Sequence, residues 1–347
     1  MGFVADSGSR RLMAPPLKWI IASWEEDKQH VFDPVCKSLV SLGHSLEVFP
    51  RARMENRPQL VGAIRSGEFD ALLTWQRFYS MQHDLLSAVA DSKIKTVYMD
   101  YGFIPHYKTA VFDSAGENAA SSWPAMWRGD GPRDLTQCDL EAAENLIQVE
   151  AERSRLLASP SISEDERIRL PFIFVPLQRL GDSVIRFDSS VRHFGELVCK
   201  ILTRAGGRTF VIIKTHPLDR DLQLGIPDFV EGSHIVIRQS FDASNEDVND
   251  YLLSRADLVV GVNSNMLFRA ILFGTPVIAV GRGWYSGSDA LTEVDGIRGL
   301  DTLTSRPPNP EAQRRYIATC LTRQLHFDEL TDAARVGEIL RRLGTIG

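Results

Sequence analysis

The chain has 347 residues, of which 44% are hydrophobic and 24% are charged, a balance typical of soluble globular proteins. This length favours two domains of ordinary size over one small core. The net charge of −6 argues against a surface built mainly to neutralise nucleic-acid phosphates, although a local basic groove stays open. The four cysteines lie far apart and lack the spacing of a zinc site or a disulfide framework.

The first 16 residues lack the apolar core of a signal peptide. The sequence also has no run of about 18 apolar residues that could cross a bilayer. We therefore expect a cytoplasmic protein with no transmembrane segment, while peripheral association with a membrane stays open.

Apolar runs alternate with amphipathic stretches along the first half of the chain. The predicted strands are residues 17–23, 45–49, 69–75 and 96–99. The predicted helices between them are residues 31–42, 58–66 and 85–91. Strands that alternate with helices at this spacing indicate βαβ units and a parallel sheet.

An aromatic-rich segment without regular periodicity follows, from residue 100 to residue 123. A loop of this length is usually functional or disordered, and its aromatic content speaks against disorder. We interpret it as a wall of an active cleft with the carboxylates Asp100, Asp113 and Glu117. Asp100 is favoured because it directly follows a buried strand, where side chains face the ligand crevice of α/β sheets. Turn chemistry or helix capping is the structural alternative for each acid.

A charged helix at residues 139–158 and a polar linker at residues 159–163 precede a second βαβ series. Its predicted strands are residues 170–177, 209–214, 234–237, 256–262 and 276–280. Its predicted helices are residues 189–205, 249–254, 266–273 and most of 310–343. We predict an α/β fold of two Rossmann-like domains, residues 1–165 and 166–347, which face each other across a cleft and end in C-terminal helices.

Two turns in the second half carry groups that suit an anion. Lys214-Thr215-His216-Pro217 follows one predicted strand, and Asn263-Ser264-Asn265 follows another and opens a helix. An ammonium group, an imidazole and a hydroxyl can donate to phosphate oxygens, and a helix N-terminus favours negative charge. Strand termination and helix capping are the structural alternatives. We expect the two turns to meet at the tips of neighbouring strands.

Several short motifs occur in a fixed order between residues 96 and 285. They are Asp100-Tyr101-Gly102-Phe103, Asp113-x-x-Gly116, Gln178-Arg179-Leu180-Gly181-Asp182-Ser183, Lys214-x-His216-Pro217, Asn263-Ser264-Asn265, Phe273-Gly274-Thr275-Pro276-Val277 and Gly281-Arg282-Gly283-Trp284-Tyr285. With these motifs the chain resembles GT-B glycosyltransferases, and more narrowly the capsule polysaccharide synthase group that includes bacterial β-Kdo transferases. Their order makes the resemblance far more specific than any one motif.

The resemblance implies transfer of a sugar from a nucleotide-sugar donor to a hydroxyl acceptor on a glycan, a capsule or a lipid-linked saccharide. It also implies a CMP-sugar as the favoured donor, with UDP and GDP still open. Fixed donors aimed at the departing phosphate would stabilise its charge, so that neither a metal ion nor another cofactor is expected. The predicted donor-binding residues are Gln178, Asp182, Ser183, Lys214, His216, Pro217, Asn263, Ser264, Asn265 and Arg269.

One residue departs from the pattern of this group. GT-B donor domains commonly carry Glu-Ala-Leu in the helix after the serine turn, where the acid binds the nucleotide ribose, whereas this chain has Arg269-Ala270-Ile271. An arginine has donors only, so it cannot accept from ribose hydroxyls. Either another acid substitutes for it, or Arg269 contacts the phosphate or a carboxylate of the donor.

We predict that Asp100 is the catalytic carboxylate. It would be the base of an inverting enzyme or the nucleophile of a retaining one, with Glu117 or Asp113 as the partner acid/base. Three alternative functions stay open: transfer to hydroxymethylated bases of phage DNA, with a flipped base stacked on the aromatic segment; nucleotide-sugar 2-epimerisation; and nucleotide-sugar binding without catalysis. The acidic net charge makes the DNA acceptor the less favoured partner.

Overall fold

The computed structural model describes residues 15–23, 28–50, 57–76, 83–157, 171–219, 222–226, 232–238 and 244–347. These residues form two compact units. The first contains the described residues up to Trp75 together with His83–Tyr98 and Leu325–Gly347, and the second contains Gln76 and the described residues of Met99–Gln324. The predicted domain boundary at 165/166, the predicted linker at 159–163 and most of the first 16 residues lie outside the described residues.

The described residues contain strands and helices in alternation. The strands are β1 (Lys18–Ser23), β2 (Ser45–Pro50), β3 (Ala71–Trp75), β4 (Lys95–Tyr101), β5 (Thr109–Asp113), β6 (Phe172–Pro176), β7 (Phe210–Lys214), β8 (His234–Ile237), β9 (Leu258–Gly261), β10 (Val277–Ala279), β11 (Thr292–Glu293) and β12 (Gln324–His326). The α-helices are α1 (Gln29–Ser41), α2 (Arg57–Ser66), α3 (His83–Ala90), α4 (Trp123–Arg128), α5 (Gln137–Leu156), α6 (Ser183–Asp188), α7 (Phe194–Ala205), α8 (Ser244–Arg255), α9 (Asn265–Leu272), α10 (Pro310–Arg323) and α11 (Ala333–Arg342). None of these helices is long and apolar enough to cross a membrane.

In the first unit, β4, β3, β1 and β2 are neighbours in that order, and β1 is parallel to both β2 and β3. Every residue of β3 is buried, as expected for a strand of a sheet covered on both faces. Helix α11 packs on α1, and the buried Ser38 hydroxyl donates to the Leu330 carbonyl at 2.7 Å. The βαβ units predicted for the first half are therefore confirmed.

The sheet of the second unit has the order β11-β10-β9-β6-β7-β8, and its paired strands are parallel. Alternate residues of β6 and β7 face opposite sides of the sheet. Phe174 and Ile212 belong to the core formed with α8, α9 and α10, whereas Val175 and Ile213 belong to the core formed with α7. Helices thus cover both faces, which confirms the predicted α/β class.

Strand β6 lies at the centre of this sheet and pairs with β7 on one side and β9 on the other. Pro176 at the end of β6 is level with Lys214 at the end of β7. The turns that follow all three strands therefore emerge at the same edge. The expectation that the Lys214 and Ser264 turns follow neighbouring strands was wrong, because β6 lies between β7 and β9.

The structure differs from the predicted elements in several regions. Residues 109–113 form the buried strand β5 inside the segment predicted to be irregular, since three apolar residues between Thr109 and Asp113 are too few for a periodic signal. The helix predicted at 189–205 starts only at Phe194. The helix predicted at 310–343 is interrupted by β12 and the 3-10 turn Phe327–Thr331, and α11 starts after Asp332, which accepts from the Ala334 amide at 2.9 Å.

Candidate active site

A pocket of about 760 Å³ lies at the carboxyl edge of the second unit's sheet. It is lined by the turns that follow β6, β7 and β9, by the segment 100–107, and by residues of α6, α8 and α9. This volume lies within the range of small-molecule sites. Its position agrees with the rule that ligands of open α/β sheets bind outside the carboxyl ends of the strands.

His216 follows β7 and lines this pocket beside Lys214, which is only 4% exposed. The Nδ1 atom of His216 accepts a hydrogen bond from the Leu218 amide at 3.1 Å. A neutral imidazole that accepts at Nδ1 carries its proton on Nε2, so Nε2 is a donor. Burial lowers the pKa of His216, although Asp219 raises it in part. The turn after β7 therefore supplies an ammonium group and an imidazole N–H.

Ser264 is the N-cap of α9, and its Oγ accepts from the Met266 amide at 3.2 Å. This is the capping role given above as the structural alternative. The hydroxyl keeps its own proton for donation, so capping and anion binding are compatible. Next to it, the Asn265 amide group donates to the Phe103 carbonyl at 3.2 Å and ties the serine turn to the segment that carries Asp100.

Gln178 and Asn263 brace the turns after β6 and β9 against each other. The Gln178 Oε1 accepts from the Asn263 amide at 3.1 Å, and the Asn263 Nδ2 donates to the carbonyls of Val184 at 3.0 Å and Arg282 at 3.2 Å. Both residues line the pocket. Their hydrogen bonds give them a role in holding the turns in place.

Three further predicted donor-binding residues lie on the same pocket. Asp182 precedes α6 and Ser183 is its first residue, while Pro217 opens the 3-10 turn Pro217–Asp219. Burial raises the pKa of Asp182, and the nearby Arg179 guanidinium lowers it in part. The charge of a carboxylate in this position affects the binding of any charged ligand beside it.

Among the three predicted catalytic acids, Asp100 lines the pocket. Its Oδ1 accepts from the Gln76 side-chain amide at 2.8 Å and from the Tyr101 backbone amide at 2.7 Å. These two bonds orient the carboxylate at the end of β4. Gln76 lines the same pocket, and its backbone N–H donates to the Met99 carbonyl at 2.9 Å.

Asp113 and Glu117 are each 1% exposed and are not among the residues that line the pocket. The Asp113 Oδ1 accepts from the amides of Ala115, Gly116 and Ser122, and its Oδ2 accepts from the Ser122 hydroxyl at 2.6 Å. Burial raises the pKa of Asp113, although these hydrogen bonds lower it in part. The structure thus places Asp113 as a brace of its loop.

Arg269 makes a two-pronged ion pair with Asp250 of α8. Its Nε donates to Asp250 Oδ1 at 2.7 Å and its Nη2 donates to Oδ2 at 2.6 Å. Arg153 also bonds Asp250, and Glu150 lies 3.8 Å from Arg269. Both Arg269 and Asp250 line the pocket, so an acid lies beside Arg269.

Several pocket residues were not predicted as individual site residues. They are Gln76, Tyr101, His106, Tyr107, Arg179, Arg186, Asn249, Asp250 and Trp284. Tyr101, Arg179 and Trp284 lie inside the motifs given above, and Tyr101, His106 and Tyr107 lie in the segment predicted to be a wall of the cleft. Asp250 and His106 lie in stretches without a motif, and only the packing of α8 on α9 and the 3-10 turn His106–Lys108 bring them to the pocket.

The family model for capsule polysaccharide biosynthesis proteins matches residues 145–322, which is more than half of the chain. The chain belongs to the capsule polysaccharide biosynthesis protein family. The matched region of this family member contains β6, β7 and β9 with the three turns that line the pocket.

Two relatives in this comparison are bacterial. The capsule polysaccharide modification protein LipA of Neisseria meningitidis serogroup A is 24% identical over 225 residues, which cover 61% of this chain and 31% of LipA. Protein FixF of Sinorhizobium fredii is 25% identical over 240 residues, which cover 66% of this chain and 54% of FixF. The match therefore spans about a third of LipA and about half of FixF.

Two solved structures share the fold of this family member. The Thermosulfurimonas dismutans KpsC β-Kdo 2,7 transferase superposes with a TM-score of 0.55 at 16% identity, covering 91% of this chain and 99% of that chain. The KpsC β-Kdo 2,4 transferase of the same organism also gives a TM-score of 0.55 at 16% identity, covering 86% of this chain and 89% of that chain. The fold is accordingly α/β and GT-B-like.

Proposed function

We propose that this protein is a glycosyltransferase that moves a sugar from a nucleotide-sugar donor to a hydroxyl of a glycan acceptor, in a capsule or on a lipid. One observation carries the proposal. Lys214, His216 and Ser264, which can all donate to an anion, line one pocket with the carboxylate of Asp100. Glycosyl transfer needs both kinds of group, because a phosphate departs and a hydroxyl attacks.

In this proposal the turns after β7 and β9 hold the phosphate of the donor. The ammonium group, the imidazole Nε2–H and the serine hydroxyl meet the charge that grows on the phosphate oxygen as the bond to the sugar breaks. These groups and the N-terminus of α9 share that task, so we propose transfer without a metal ion. A CMP-sugar is the favoured donor, as the motif resemblance implies.

Asp250 is our candidate for the acid that replaces the missing ribose-binding glutamate. It lies on the pocket, and its Oδ1 accepts from Arg269 and has a second lone pair, whereas its Oδ2 accepts from both Arg269 and Arg153. A ribose hydroxyl could donate to the second lone pair of Oδ1. The positive charge of Arg269 would be compensated by Asp250, so the Arg269–Asp250 pair that faces the donor would carry no net charge.

Asp100→Ala tests the catalytic part of the proposal. We expect a fall in kcat of about 10²- to 10⁴-fold, the usual contribution of a positioned acid or base, with donor affinity within a few-fold of wild type. Asp130→Ala is the matched control, because the Asp130 side chain is 71% exposed and does not line the pocket. Transfer at the wild-type rate by folded Asp100→Ala protein would contradict the assignment.

Incubation of the enzyme with each donor alone tests the reaction class. A transferase leaves the donor sugar unchanged until a hydroxyl acceptor is added, apart from slow hydrolysis. An epimerised donor sugar in the absence of any acceptor would contradict the transferase proposal.

A further inference from the structure

His106 lines the pocket but belongs to no recognised motif. It opens the 3-10 turn that follows the Asp100 segment. Its ring contacts those of Tyr101 and Tyr107, with centroids 5.7 Å and 4.5 Å away, and the two tyrosine rings lie 5.1 Å from each other. The imidazole thus belongs to a cluster of three aromatic rings.

The hydrogen bond of His106 determines where its proton lies. The Nδ1 atom is 2.6 Å from the carbonyl oxygen of Gly102. A carbonyl oxygen only accepts, so Nδ1 must carry the proton and Nε2 of the neutral ring holds a free lone pair. Among the described residues no group donates a hydrogen bond to Nε2. Nε2 is also not among the side-chain atoms that are both fully buried and without a partner, so it is accessible.

The surroundings of His106 favour the neutral ring. Burial, the largest cause, lowers the pKa of His106, and the positive charge of Arg269 on α9 lowers it further. The hydrogen bond to the Gly102 carbonyl raises the pKa in part. The rings of Tyr101 and Tyr107 pack against the imidazole. The lone pair on Nε2 is therefore available at neutral pH.

The pocket thus holds two histidines of opposite tautomers. His216 accepts at Nδ1 and presents an N–H at Nε2, whereas His106 donates at Nδ1 and presents a lone pair at Nε2. The first suits an anion, and the second suits the proton of a hydroxyl group. Of the predicted partner acids, neither Asp113 nor Glu117 lines the pocket.

We propose that Nε2 of His106 takes the proton of the acceptor hydroxyl during sugar transfer, an inference that rests on the proposed function. As the proton moves to Nε2, the electron pair of the O–H bond forms the new bond from the acceptor oxygen to the anomeric carbon. The bond from that carbon to the departing oxygen breaks, and its electron pair stays on that oxygen. The departing oxygen belongs to Asp100, which in a double displacement is the nucleophile that has already displaced the phosphate. The imidazolium then releases its proton to water.

His106→Asn separates proton transfer from the structural role of the ring. An asparagine amide can still donate to the Gly102 carbonyl from near the position of Nδ1, but it has no group in the place of Nε2. We expect kcat for transfer to fall about 10²- to 10⁴-fold, with donor KM within about 3-fold of wild type. Added imidazole should restore part of the rate. The acidic limb that the lowered pKa of His106 gives to the wild-type pH profile should be absent.

His193→Asn is the matched control, because His193 is exposed, precedes α7 and does not line the pocket. It should keep the wild-type rate and pH profile. A His106→Asn enzyme that transfers within about 3-fold of wild type, with its acidic limb intact, would overturn the assignment while leaving the glycosyltransferase proposal standing. A wild-type protein that turns over no nucleotide sugar with any acceptor would overturn both.

Discussion

Arg269→Ala removes one of two cations from a buried carboxylate. The Asp250 side chain is 3% exposed, and Arg269 supplies two of its charge-assisted hydrogen bonds, at 2.7 Å and 2.6 Å. After the substitution Asp250 keeps its bond to Arg153, whose side chain is 37% exposed. The carboxylate therefore stays buried with only part of its charge compensated.

The expected cost follows from that geometry. Loss of a hydrogen bond to a charged group costs about 1.5–3 kcal/mol, and removal of one partner of a buried ion pair costs about 3–5 kcal/mol. Arg269 is 22% exposed and Arg153 remains, so solvent and the second cation reduce the effect. We expect the free energy of unfolding of the second unit to fall by about 2–4 kcal/mol.

Arg204→Ala is the matched control in the same unit. Asp301 is also held by two cations, Arg204 at 3.1 Å and Lys200 at 3.0 Å, but its side chain is 74% exposed. Urea unfolding of both variants without ligand, followed by tryptophan fluorescence, compares the same substitution at a buried and an exposed carboxylate. We expect a lower urea midpoint for Arg269→Ala and little change for Arg204→Ala. Equal midpoints would refute the claim that burial makes the Asp250 pair important.

Two further substitutions test roles that the structure gives to single residues. Asp113→Asn should lower the free energy of unfolding by about 1–3 kcal/mol, because an amide N–H₂ cannot accept from Ser122. We expect kcat of the folded protein to stay near wild type. A large loss of kcat at unchanged stability would contradict the bracing role. Gly195→Ala should cost about 1–3 kcal/mol, since the added Cβ would lie 2.3 Å from the Leu224 carbonyl oxygen. Gly62→Ala in α2 meets no atom within 4 Å and should instead stabilise by about 0.4–1 kcal/mol, so equal effects of the two glycine substitutions in urea titrations would refute the contact.

The architecture and the main turns of the pocket were predictable because buried strands have a strong signal. The run Phe210–Lys214 is buried along its whole length and ends in a lysine. Because ligands of α/β sheets bind at the carboxyl ends of the strands, this run predicts a ligand site at its end. Ser264 lies before an apolar helix, where an N-cap is expected. Ordered motifs then connected these turns to the capsule polysaccharide biosynthesis protein family.

The remaining features depend on contacts between distant parts of the chain. Asp250 and Arg269 lie on different helices, so their pairing appears only when α8 packs on α9. The sequence predicts Asp113 to be a carboxylate of the cleft wall. In the structure it instead accepts four hydrogen bonds from its own loop. His106 carries no local pattern, and its tautomer depends on one carbonyl oxygen. Such hydrogen bonds are set by tertiary packing, which periodicity and spacing do not encode.

Calorimetric titration of CMP, UDP and GDP into the wild-type protein and His216→Ala tests the central claim most directly. If the turns after β7 and β9 hold the nucleotide phosphate, the wild type binds one of these nucleotides. His216→Ala loses a hydrogen bond to a charged group, which is worth about 1.5–3 kcal/mol. It should therefore bind that nucleotide roughly 10- to 100-fold more weakly than the wild type. His193→Ala, altered at an exposed histidine outside the pocket, should bind as the wild type does. Equal affinities of the wild type and His216→Ala, or no binding of any nucleotide by the wild type, would contradict the account.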